Sequence, residues 1–165
     1  MNTPALSLVS ALLIGIGATF VSDILAMLIT RALKIAPSNI CFIGRWVRYM
    51  MEGKFAHASI ESAPRKSGEC AAGWITHYLV GVIFALILVA VTGGNWLQHP
   101  TLIPALLFGV ISMAAPFLIM QPSFGTGIAA SKAPNPAKAR IRTVVNHTAF
   151  GVGLYLAGWL VSRVM

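Results

Sequence analysis

Four stretches of the chain carry almost only apolar and small residues, and the polar residues gather between them. The first runs near 6–30 and the second near 70–91. The third runs near 102–121, with the small-residue run GTGIAAS as a possible extension to 131, and the fourth near 141–161. Each matches the roughly 20 residues that an α-helix needs to cross a bilayer. The runs are continuous rather than alternating, so they predict helices and not barrel strands, and four short strands could not close a barrel. The expected fold is an all-α membrane protein, a four-transmembrane-helix bundle forming a single membrane domain over 1–165, with loops at 31–69 and 132–140.

Local signals place the helix ends. Ser67-Gly68-Glu69 sets a capping hydroxyl and an acid where the second span should start. Asn135-Pro136 offers a cap followed by proline at the first helical position of the fourth. Pro116 should kink the third span, and Pro122 could do so again. In the long first loop, Ile43, Trp46, Val47, Met50 and Met51 recur at helical spacing among Arg45, Arg48 and Lys54. That is an amphipathic helix, either lying on the inner leaflet or packed across the mouth of the bundle.

Composition agrees. The hydrophobic set makes up 57% of the residues and charged residues 10%, with a mean hydropathy of +0.80. Soluble domains carry about 25% charged residues, so a soluble globular or disordered chain is excluded. The net charge of +8 invites a nucleic-acid partner, but the placement of the cations argues for membrane topology instead. Arg31, Lys34, Arg45, Arg48, Lys54, Arg65 and Lys66 lie in the first loop. Lys132, Lys138, Arg140 and Arg142 lie before the fourth span, and Arg163 alone lies on the other side. An eleven-to-one split puts those loops in the cytoplasm and both termini outward. The start MNTPALSL lacks a basic region, so the first run reads as a retained span rather than a cleaved signal. Trp96 and Trp159 fall at the outer edge, and Trp46 and Trp74 at the inner one, as interfacial anchors would. Cys41 and Cys70 lack metal spacing and fall near the cytoplasmic face, where thiols are expected to stay reduced.

An internal repeat of two helical hairpins is visible as a possibility. ALLIGI in the first span aligns with ALLFGV in the third, and His77 followed by Gly81 aligns with His147 followed by Gly151. Both hairpins would enter the membrane in the same sense, giving a parallel repeat.

The candidate chemistry lies in the spans. Asp23, His77 and His147 each sit about six or seven residues in from the cytoplasmic side, roughly 10 Å deep at the helical rise. Ionisable groups at such depth point to function by default. Gly15, Thr19 and Asp23 share a face, with Ser22 beside them. Gly73, His77 and Gly81 share another, and Thr143, His147 and Gly151 a third, with Asn146 adjacent. Gln121 adds a polar group near the inner mouth.

Several readings of this layer stay open. It could lock the bundle structurally, or take part in assembly through the basic loop. It could pass a proton, ion or small solute, with Asp23 tuning the histidines, which suits a homo-oligomer because four spans are few for a transporter. The two histidines could ligate b-type haem for electron transfer or sensing, or with Asp23 form a 2-His-1-carboxylate metal site. No enzymatic motif is expected: there is no nucleophile elbow, and GTGIAAS lacks the context of a phosphate loop. His57 and His99 are expected to be solvated, and Glu52, Glu61 and Glu69 to be loop or cap charges, with Glu69 placed to feed a proton path. The partners expected are the bilayer, with anionic lipids of the inner leaflet, and no nucleic acid.

The segments GIGATFVSDILAM, IGRWVRYMMEGKFAHASI, GWITHYLVGVIFALILV, APFLIMQPSFGTGIAASKAPNP and NHTAFGVGLYLAGW resemble, in that order, a family of small bacterial multi-pass inner-membrane proteins catalogued as a domain of unknown function. The resemblance covers nearly the whole chain and implies a bacterial inner (cytoplasmic) membrane location. It implies no activity, cofactor or catalytic residue.

Overall fold

The computed structural model describes residues 4–164. These contain helices and no strand. In chain order they are α1 (Pro4–Ala32), α2 (Ile40–Met50), α3 (Glu69–Thr92), α4 (Gly94–Gln98), α5 (Leu102–Ser112), a π-helical turn (Pro116–Met120), α6 (Gln121–Ser123), a 3-10 turn (Ile128–Ala130) and α7 (Pro136–Val164). Among the described residues, four helical runs are long and apolar enough to cross a membrane: Leu6–Ala32, Glu69–Thr92, Leu102–Ser123 and Pro136–Val164. Their outward faces carry Phe20, Leu79, Ile103, Leu107, Ile111 and Leu160, all well exposed. In water such a surface would be costly; against acyl chains it is the expected one.

The helix ends follow local chemistry. Asn135 Oδ1 accepts from the Lys138 amide at 3.0 Å and caps α7. At the head of α3 the Glu69 carboxylate reaches back to the Lys66 amide at 2.9 Å. In the third span Pro116 has no amide proton to give, and the chain continues as a π turn in which the Gln121 amide bonds the Pro116 carbonyl. The helix stops at Ser123 and does not run on through GTGIAAS to 131. Gly125 and Gly127 take φ values of 86° and 74°, and Gly125 lies so close to the backbone of Ala58 that a Cβ would overlap the Ala58 carbonyl.

The chain divides into two compact units, and the division cuts across the spans. The first comprises Met1–Ile29, Tyr78–Ser112 and Val145–Met165. Its core includes Ile14, Ala85, Leu88, Trp96, Phe150 and Leu154. Two helix pairs in this unit approach at glycines. A Cβ on Gly15 would stand 2.5 Å from Val82 Cα, and one on Gly109 2.6 Å from the His147 carbonyl oxygen and 2.8 Å from Gly151 Cα. The glycines of ALLIGI and ALLFGV therefore make the same kind of contact, each with the next span in sequence. Trp96 is only 4% exposed. It is not the interfacial anchor expected of it, because α4 turns the indole inward against Gly158, where a Cβ would stand 2.9 Å from the ring. Trp159 and Trp74 are about half exposed, at 46% and 48%.

The second unit comprises Thr30–His77 and Met113–Val144. Here α2 packs on the head of α3. Gly44 lies against the backbone of Glu69 and Gly73, and Gly73 against that of Ile40, so closely that a Cβ on either would overlap those atoms. This approach brings the Cα atoms of Cys41 and Cys70 to 4.0 Å, and the two are joined in a disulfide. The expectation of two separate reduced thiols is thus corrected. One residue after Gly44, Arg45 is 3% exposed. It donates from Nε and Nη2 to the two oxygens of Glu69, both at 2.7 Å. Its Nη1 turns to the carbonyls of Ile60, Glu61 and Ala63 at 2.9, 3.1 and 2.9 Å. Glu69 is therefore the partner of a buried cation and not a lone cap. A buried ion pair is tolerable only with its remaining donors satisfied, and this one meets that condition.

Candidate functional site

In the first unit two hydrogen-bonded pairs join polar side chains of different spans. Thr19 and Ser22 bond back to their own helix, to the carbonyls of Gly15 and Thr19, both at 2.8 Å. Thr19 is buried where α1 meets α3, and its Oγ1 occupies the space a Cβ on Gly81 would need. One turn further along α1, the Asp23 carboxylate accepts a hydrogen bond from the Tyr78 hydroxyl of α3. Asp23 and Tyr78 are both half-buried.

The second pair joins α5 to α7. The Ser112 hydroxyl stands 2.7 Å from His147 Nδ1 and also 2.7 Å from the Gly109 carbonyl. A serine has one hydroxyl proton, and a carbonyl can only accept it. With that proton on Gly109, the Ser112 oxygen is left to accept from Nδ1–H. Gly151, four residues after His147, packs against α5, with a Cβ there 3.0 Å from the Ala105 carbonyl. Asn146 is half-buried on α7 in the same unit.

His77 lies in the second unit, its ring 5.9 Å from that of Trp74. Gln121 is also there and buried; its Nε2 donates to Thr143 Oγ1 at 3.0 Å, and Thr143 donates on to the Ala139 carbonyl. The Gln121 Oε1 is buried without a hydrogen-bond partner. Among the described residues no group of three or more His, Cys, Asp and Glu side chains could hold a metal ion.

His57, expected in solvent, is buried at 7% exposure. The loop folds back so that its amide bonds the Ser123 carbonyl at 2.9 Å and its ring meets Tyr49 edge-on at 4.7 Å. Both ring nitrogens are buried without a hydrogen-bond partner. Burial pushes its pKa down, and the Lys54 ammonium adds to that push, while the contact with Ser123 opposes it. Lys54 and Lys66 both lie over the Tyr49 ring, at 5.3 and 4.3 Å, and Lys66 pairs with Glu52 at 2.7 Å. The folded state therefore favours the neutral imidazole. The stabilisation this gives is complete above the ordinary histidine value of about 6.5 and is lost as pH falls from there through the depressed folded value. The thermal midpoint of the detergent-solubilised protein should fall across that acid window, and His57→Leu should flatten that part of the profile. An unchanged slope in the variant would reject the role given to His57.

Tyr78 and Ser112, the partners of Asp23 and His147, were not apparent from the sequence pattern. Tyr78 directly follows His77, and adjacent helical positions point about 100° apart, so a search along the His77 face passes over it. Ser112 follows Gly109 by three and lies on the same face as that glycine, which is the signal that could have found it.

No curated protein and no solved structure matches the chain. A family model described as "Protein of unknown function (DUF2938)" matches residues 12–161, nearly the full length. The chain, with its polar pairs inside four apolar helices, belongs to that family.

Proposed function

We propose that this chain is a multi-pass protein of the bacterial inner membrane that passes protons, or a small solute coupled to them, through Asp23, His77 and His147. The observation that carries the reading is the pairing within the first unit. Asp23 with Tyr78 and Ser112 with His147 are two hydrogen-bonded pairs, each made between different spans. Hydrogen bonds between membrane helices average only about 0.6 kcal/mol, so stability alone is a thin reason to keep an acid and an imidazole there. In this reading Tyr78 and Ser112 hold their partners in position, while Asp23 and the histidines exchange the proton.

The orientation proposed has both termini outward and the basic loops in the cytoplasm. It is supported by Arg31, Lys34, Lys132, Lys138 and Arg140, which are all exposed. Arg142 is also in the second unit and donates to the Ala36 carbonyl at 3.2 Å. Anionic headgroups of the inner leaflet are the natural partners of such a surface, and a homo-oligomer would give four spans enough wall for a path.

The test is proton flux in proteoliposomes, followed with an internal pH dye. Wild-type protein should dissipate an imposed pH gradient, His147→Gln should abolish that flux, and Ser112→Ala and Tyr78→Phe should slow it. Flux in His147→Gln equal to wild type would reject the reading.

A further inference from the structure

We propose that the Cys41–Cys70 disulfide is a thiol-exchange site, opened and closed by small cytoplasmic thiols of the glutathione class. The partner thiol rests on the orientation proposed above; the site itself rests on the structure of the second unit. Cys41 and Cys70 are joined, and there is no free cysteine among the described residues. A cytoplasmic face is where permanent structural disulfides do not persist. A disulfide formed there is one that cycles.

Access selects Cys70 as the sulfur attacked first, and its place at the start of α3 favours its release in the second step. Its side chain is exposed, whereas Cys41 is half-buried. Cys70 is also the second residue of α3, a helix of 24 residues. The amide groups at a helix N-terminus favour a thiolate, and the acid beside it, Glu69, is neutralised by Arg45. Contacts other than the bond also hold this crossing. Arg45 still ties α2 to Glu69 and to three loop carbonyls, and Gly44 and Gly73 still allow the close crossing.

The exchange balances. A thiolate attacks the Cys70 sulfur, the Cys70–Cys41 bond breaks, and Cys41 leaves as a thiolate that takes up a proton. A second thiolate attacks the incoming sulfur of the mixed disulfide, releasing Cys70 as the favoured leaving group, which is protonated in turn. In sum, one protein disulfide and two small thiols give two cysteine thiols and one small-molecule disulfide. The oxidised small molecule drives the reverse.

The experiment uses wild-type protein in mild detergent, treated with reduced glutathione, quenched with acid and labelled with a maleimide that shifts its mobility. Both thiols should appear without denaturant, and oxidised glutathione should close the bond again. Mass spectrometry of the trapped intermediate should find glutathione mainly on the exposed Cys70 rather than on Cys41. Circular dichroism should show the reduced protein still helical. In intact spheroplasts the oxidised fraction should respond to a permeant thiol reagent and not to an impermeant phosphine. A bond that opens only in denaturant, or an adduct mainly on Cys41, would overturn the site. Normal exchange in detergent, together with opening by the impermeant phosphine in spheroplasts, would overturn the cytoplasmic partner and the orientation behind it, leaving the reactivity of Cys70 standing.

Discussion

Replacing Arg45 with alanine is expected to cost about 3–5 kcal/mol of folding stability, the range for removing one partner of a buried ion pair. The cost has two sources. Glu69, with its side chain 9% exposed, would keep its charge without a counter-ion. The carbonyls of Ile60, Glu61 and Ala63 would lose their common donor. Arg45→Lys should recover little, because an ammonium is a point donor and cannot fork between a carboxylate and a cluster of carbonyls. Glu69→Leu combined with Arg45→Met should not be neutral either, since the loop carbonyls remain unpaired. Thermal unfolding in detergent, followed by circular dichroism, reads these changes directly. A midpoint unchanged in Arg45→Ala would mean that the clasp contributes nothing.

Gly44→Val is the second large effect expected. The Gly44 position faces the backbone of Glu69 and Gly73, and backbone does not rotate aside as a long side chain does. The helices must separate, which would also strain the Arg45–Glu69 geometry and the nearby disulfide. Overpacking ordinarily costs about 1–3 kcal/mol, and here the upper end or more is expected because three contacts are disturbed together. A matched control is Gly94→Val on α4, where a Cβ would meet nothing within 4 Å. Similar losses in both variants would contradict the close crossing.

The spans and most of their ends were legible from the sequence because the signals are local. Apolar length set the spans, and Asn135 caps α7 as its position before Pro136 implied. The face holding Gly15, Thr19 and Asp23 does meet the helix that carries Gly81. The clasp in the first loop was not legible in the same way. Arg45 counted as one cation among eleven on the basic side, and nothing local separates a cation that sets topology from one that is buried against an acid 24 residues away. A pattern was nonetheless present. Cys41-x-x-Gly44-Arg45 and Glu69-Cys70-x-x-Gly73 carry the same cysteine-to-glycine spacing beside opposite charges, and that spacing puts each glycine and cysteine on one helix face. Trp96 and His57 misled for a related reason. Both sit in connections between the spans, where composition suggests solvent or interface, and both are buried because the chain folds back on itself through contacts distant in sequence.

In the function proposed above, Asp23 exchanges a proton within the membrane and is not merely a hydrogen-bond acceptor for Tyr78. The most direct measurement is proton flux through reconstituted Asp23→Asn and Asp23→Glu, set beside their thermal midpoints. Asparagine can still accept from the Tyr78 hydroxyl but cannot take up a proton, whereas glutamate can do both. Asp23→Asn should keep its midpoint and lose flux, with Asp23→Glu restoring part of it. A variant Asp23→Asn that conducts like the wild type, or that loses flux only because it no longer folds, would contradict it.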